Sequence, residues 1–170
     1  MEASMASLLE ICLYPDSVLR EKCEEVTSID ADILKLLDDM AETMYDAPGI
    51  GLAAPQIGVT KRITVIDVSE EGNELIELIN PVIKEASGKI DSEEGCLSIP
   101  DYRDTIKRNE TVKVEALNRD GELFEIEADG ILSRCLQHEI DHLDGVLFVD
   151  KLSRLKRELF KKKYKKLHNL

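Results

Sequence analysis

The chain has 170 residues, 43% of them hydrophobic, no Trp and a formal net charge of −13. That length suits one domain with its own core, built without disulfides or partners. No apolar run approaches the ~20 residues of a membrane span. The first 19 residues hold two Glu, one Asp and no Lys or Arg, which argues against a signal or transit peptide. The four cysteines, Cys12, Cys23, Cys96 and Cys135, form no CxxC pair. They read as reduced thiols of a cytoplasmic protein.

The charge is divided unevenly. Residues 151–170 carry nine Lys/Arg and one acid, a net +8, while the other 150 residues carry 13 basic and 34 acidic groups, a net −21. The acidic body repels nucleic acid, so DNA is not an expected partner. The basic end suits either docking on RNA or another acidic surface, or a solvated helix whose lysines only keep the protein soluble.

Taken in chain order, the elements indicate an α+β domain. Ile33, Leu36, Leu37, Met40 and Met44 form one stripe of a helix over about Asp30 to Met44. Pro48, Gly49 and Gly51 then force a loop. Strands are expected at Arg62–Val68 and Leu75–Ile79, and a hairpin joins Thr111–Leu117 to Leu123–Ala128 through Asn118-Arg119-Asp120-Gly121. Asp129 caps a helix from about Gly130 to Leu143. Ser153 caps a last helix with Leu155, Leu159, Phe160, Tyr164 and Leu167 at helical spacing. Antiparallel strand signals flanked by helices give a compact single domain of that class, not a βαβ array.

His138-Glu139-Ile140-Asp141-His142 carries the strongest chemical signal. Positions i and i+4 share a helix face, so both imidazoles can reach one metal. Glu139 is rotated by roughly 100° from His138 and can touch a metal-bound water without being a ligand. Two ligands and a base make a hydrolytic centre once a third ligand is supplied. The bland reading is a packed histidine pair beside a solvated Glu. It weakens because two of the chain's three histidines fall in the motif, leaving only His168, expected to be solvated, in the tail.

Several third ligands can be weighed. The spacing of an HExxHxxGxxH site puts Gly145 correctly but ends on Phe148, which cannot bind metal. Glu158, the only acid of the tail, is more simply an ion-pair partner of nearby lysines. Cys135 and His142 are seven residues apart, about 10.5 Å of helix rise, too far to meet on one ion with His138. Cys12 and Cys23 flank a segment with no other chemistry. Cys96, in Glu94-Gly95-Cys96-Leu97-Ser98, can complete a Cys-His-His site with a fourth position for water, although an isolated Cys is as readily an inert buried one. Gly49-Ile50-Gly51-Leu52-Ala53-Ala54-Pro55-Gln56 lets backbone approach a ligand closely, with the Gln56 amide as an oxyanion donor; a tight loop would explain it equally.

Together GIGLAAPQ, EGCLS and QHEIDHLDG (Gln137 to Gly145) resemble the three signature motifs of the bacterial peptide deformylases, in order and over about Leu8 to Leu152. The resemblance implies a compact α+β fold of antiparallel strands around the motif helix. It implies the metal ligands Cys96, His138 and His142, Glu139 as general acid/base, and Gln56 with the Leu97 backbone N–H as oxyanion donors. Gly51 and Arg103 would contact substrate. Ile131 and Cys135, on the His138 face of the helix, either line the methionine pocket with Ile50 or simply fill core. The substrate implied is an N-formylmethionyl peptide, and the cofactor one divalent ion, Fe2+, with Zn2+, Ni2+ or Co2+ able to substitute. The basic C-terminal helix would contact the ribosome. Three segments follow: 1–7 with no assigned role, a catalytic domain over 8–152, and the basic helix over 153–170. The rival readings are a metallopeptidase and a metal-stabilised binding module; retention of Glu139 and Gln56 disfavours the second.

Overall fold

The computed structural model describes residues 6–170; residues 1–5, most of the segment given no role, lie outside it. Helix α1 spans Ala31–Asp46, and the Asp30 side chain accepts from the Ile33 N–H at 3.0 Å as its N-cap. Strands β1 (Gly51–Ala53), β2 (Ile63–Ile66), β3 (Ile76–Ser87), β6 (Thr111–Leu117) and β7 (Leu123–Ala128) form one sheet in the order β1-β2-β3-β6-β7, antiparallel throughout. Strands β4 (Ile90–Cys96) and β5 (Ile99–Arg108) pair separately as a ribbon. Helix α2 spans Gly130–Leu143 and α3 Arg154–Leu167.

Strand β2 explains the layering. Ile63 and Val65 belong to the cluster with Leu37, Met40 and Met44 of α1, whereas Ile66 belongs to the cluster with Leu136 and Ile140 of α2. Alternate side chains of a strand point to opposite faces. The two helices therefore cover β2 from both sides, and α2 is central.

The β6–β7 hairpin and the bounds of α2 match the sequence reading, but Asp129 occupies the N-cap position of α2 without a side-chain capping bond. Strand β3 runs well beyond Ile79, because Asn80-Pro81 forms a bulge in place of a turn. Asn80 adopts φ 52° there, its side chain bonding the Val26 N–H and carbonyl at 2.8 and 2.9 Å.

Ser153 caps α3 through the Lys156 N–H. Only Phe160 and Tyr164 of its apolar set are buried; Leu155, Leu159 and Leu167 face solvent. His168 is not simply solvated, since its ring stacks on Tyr164 at 4.1 Å. Among the described residues no helix is long and apolar enough to cross a membrane.

Candidate metal centre

Helix α2 carries His138 and His142 on the face turned toward the bend between β4 and β5, where Cys96 ends its strand. Donor atoms of Cys96, His138 and His142 lie within 4.8 Å of one another, and Cys96 Sγ is 3.3 Å from His142 Nε2. Tetrahedral bonds of about 2.1 Å to nitrogen and 2.3 Å to sulfur place such donors about 3.6 Å apart. The donor set and its spacing fit one divalent ion. Cys135 stays outside the group, as helix rise requires. Phe148, at the failed third-His position, stacks on the His138 ring at 6.0 Å. Glu158 pairs with Lys161 at 3.8 Å.

His138 is oriented by residues the sequence reading did not assign. Its Nδ1 lies 2.9 Å from Glu94 Oε1, leaving Nε2 to face Cys96. Glu94 also accepts from Ser92 Oγ (2.7 Å) and from Arg108 Nε and Nη2 (2.9 and 2.8 Å), and Arg108 Nη1 donates to Asp141 at 2.5 Å. Burial alone would raise Glu94, but the hydrogen bonds from Arg108 and His138 hold it down to about 2. A carboxylate on the far nitrogen of a liganding histidine fixes both tautomer and ring direction. Gln137, the first motif residue, is structural: it donates to the Asn109 carbonyl and accepts from the Asn109 N–H, tying α2 to the β5–β6 turn. Gly145 is forced by conformation, with φ 75° and the Arg20 carbonyl oxygen 2.4 Å from where a Cβ would stand.

Glu139 is 4% exposed, and its Oε1 makes no hydrogen bond among the described residues. Burial, reinforced by Glu94 and Asp141 against the opposing His138, pushes its carboxyl up to about 7. Burial would lower His138, yet hydrogen bonding to Cys96, the charge of Glu139 and the hydrogen bond to Glu94 carry it well above the ordinary imidazole value. The groups that hold a proton there attract a divalent cation by the same field. His142 moves the other way, well below its ordinary value, through burial and then the neighbouring His138.

A cavity of about 840 Å³ opens onto Cys96, His138 and Glu139. Its lining includes Ile50, Gly51, Gln56, Leu97, Arg103, Ile131 and Cys135, so every residue expected to meet substrate faces this one space. Ile131 is 49% exposed and is cavity wall, not core, whereas Cys135 is buried and belongs to both. The Gln56 carboxamide has a fixed direction: Oε1 accepts from the Ala53 N–H at 2.9 Å, so Nε2 points to Ser98 Oγ (3.1 Å) and Cys96 Sγ (3.5 Å). A Cβ on Gly51 would stand 2.5 Å from Glu139 Oε2 and 3.0 Å from Cys135 Sγ, so only glycine lets β1 approach the base this closely. Arg103, opposite Gly95 across the ribbon, pairs with Glu93 at 3.4 Å on the rim.

A Cys-His-His group able to hold one metal ion, a buried carboxyl and an open cavity on an α+β scaffold are the features of a mononuclear metal-dependent hydrolase. The chain belongs to the polypeptide deformylase family, whose model matches residues 8–158. It is 57% identical to a peptide deformylase of Thermodesulfovibrio yellowstonii over 94% of this chain and 98% of the relative. A crystal structure of a peptide deformylase from Legionella pneumophila superposes with a TM-score of 0.91 at 47% identity, covering 96% of each chain. The Ehrlichia chaffeensis peptide deformylase in complex with actinonin gives 0.88 at 46% identity, covering 96% of this chain and 99% of that one. The chain is thus an enzyme of this kind, removing N-formyl groups from peptides in a metal-dependent hydrolysis.

Proposed function

We propose that this enzyme deformylates N-formylmethionyl chains as they are made in the cytoplasm, with Cys96, His138 and His142 holding ferrous iron. The donor set suits zinc as readily, and nickel or cobalt could replace iron. Bound there, a divalent cation supplies Lewis-acid activation of water and of the formyl carbonyl. Glu139 takes a proton from the attacking water, a role suited to a carboxyl poised near neutrality. As the water oxygen adds to the formyl carbon, Gln56 Nε2 and the Leu97 N–H meet the oxyanion, where one good donor is worth about 3 kcal/mol. Glu139 then gives its proton to the departing amine nitrogen, the C–N bond breaks, and formate leaves. Ile50, Ile131 and Cys135 receive the methionine side chain, and Arg103 contacts the peptide at the rim. Backbone crowding at Gly49–Gly51 admits formyl and rejects acetyl.

The observation that carries this reading is one cavity lined by Cys96, His138, the Glu139 carboxyl and a pre-aimed Gln56 amide, with His142 completing the donor group. Formate release from formyl-Met-Ala-Ser tests it. Wild-type protein should release formate, and Glu139→Ala should lower kcat by about 10²–10⁴-fold. Release by neither protein rejects the reading; equal release by both rejects the role of Glu139.

The exposed basic face of α3 favours the ribosome as its contact. Because Phe160 and Tyr164 root this helix in the core, the test is charge reversal at Lys162 and Lys163 rather than deletion. Unchanged low-salt co-sedimentation with ribosomes would remove the idea.

A further inference from the structure

Helix α3 reaches the oxyanion side of the active site through a short chain of contacts. Phe160 is 2% exposed, and its ring centroid lies 5.3 Å from Tyr14 and 4.5 Å from Tyr102. Tyr102 lines the cavity, and its hydroxyl donates to Asp104 at 2.7 Å, which also pairs with Lys156 of α3 at 3.5 Å. Tyr14 belongs to an extended strap that makes two backbone bonds into the site. The Cys12 N–H donates to the Gln56 carbonyl at 2.6 Å, and the Tyr14 N–H donates to the Ser98 carbonyl at 2.7 Å. Ser98 Oγ is in turn the neutral partner of Gln56 Nε2. The strap, backed by α3, thus holds the backbone of both Gln56 and Ser98, the residue to which the Gln56 amide donates.

We propose that Phe160, outside the cavity, is a positioning residue for Gln56, acting through Tyr14 and the strap onto Ser98. This rests on the oxyanion role given to Gln56. Tilted aromatic contacts on two sides fix the ring, and the ring fixes the strap. Interiors are packed too densely for Tyr14 to keep its place once that ring is removed. Gln56 acts on charge that develops only in the transition state, so its displacement lowers kcat and spares KM.

A double-mutant cycle on formyl-Met-Ala-Ser hydrolysis, with metal content measured for each protein, reads the coupling directly. Phe160→Ala should lose about tenfold in kcat with KM changed less than about twofold and metal content at the wild-type level, since small misplacements of a catalytic group are costly. In a Gln56→Ala background the same substitution should cost under about twofold, because the group it positions is gone. If Phe160→Ala folds poorly, Phe160→Leu and Tyr14→Leu serve the same cycle with smaller losses. Effects that multiply in the double variant, or an unchanged kcat beside a lowered melting temperature, overturn the proposal. A Gln56→Ala protein with wild-type kcat overturns instead the oxyanion role on which it rests.

Discussion

In the β6–β7 hairpin the inward positions are Val112, Val114 and Ala116, opposite Ala128, Ile126 and Phe124. The β4–β5 ribbon turns Ser92, Glu94 and Arg108 inward, and only Ile99 and Ile106 among its described buried residues are apolar. Both are antiparallel and of similar length. One spends its buried face on core, whereas the other spends it on aiming His138. A strand whose inside is polar costs hydration that only a complete hydrogen-bond set offsets, and Glu94 has such a set from Ser92, Arg108 and His138.

The two hairpins differ most at Glu94. Glu94→Ala leaves Arg108 buried beside only Asp141, and removing one partner of a buried pair costs about 3–5 kcal/mol. It should also weaken metal binding by about 10–100-fold, read by chelator competition. Val114→Ala, at the matching depth of the other hairpin, removes two methyl groups and should cost about 2 kcal/mol in urea unfolding. Metal content and activity per folded molecule should stay at wild type. If Glu94→Ala costs no more than Val114→Ala and keeps its metal, the division of labour is wrong.

A pH series on metal-stripped protein sharpens the same contrast. The Glu94 carboxyl, held down to about 2 against an ordinary 4.5, contributes stability that is present above 4.5 and lost as pH falls toward 2. Glu139, pushed up to about 7, contributes stability that is present below 4.5 and lost as pH rises through 7. Urea midpoints of wild type and Glu139→Gln should therefore diverge across the upper window and run parallel below it. Parallel curves throughout would mean that the Glu139 carboxyl titrates normally. The smallest effect belongs to the outward face of the ribbon. Asp91 and Lys107 form an exposed pair, and Asp91→Asn should change stability by under about 1 kcal/mol with no change in metal binding.

This division also governs how much could be read from sequence. Helix α1 declared itself through Ile33, Leu37, Met40 and Met44, and the β6–β7 hairpin through alternation about Asn118–Gly121. The β4–β5 ribbon has no counterpart among the strands expected from sequence, because Ile90-Asp91-Ser92-Glu93-Glu94 has no apolar alternation. Its period is present, but in polar residues whose partners lie up to 44 positions away. Cys96, His138 and His142, which the structure gathers within 4.8 Å, stand out in the sequence through short motifs. The residues that orient them, Glu94, Arg108 and Asp141, do not, although Glu94 and Asp141 sit within or beside those motifs. Nothing local distinguishes a carboxylate that holds a histidine from one that faces water. The continuation of β3 past Asn80-Pro81 was hidden for the opposite reason, since those residues carry a strong turn signal that Val26 redirects into a bulge.

The contact of Tyr14 with Phe160 has a consequence for how the enzyme is born. These rings join the first elements to the last helix across almost the whole chain, and loops of that span close late and slowly. During synthesis the helices and hairpins between them can form as they emerge, but the strap has no ring to lean on until Phe160 leaves the exit tunnel. The frame around Gln56 is thus completed only after Cys96, His138 and His142 have all been made and Phe160 has joined them.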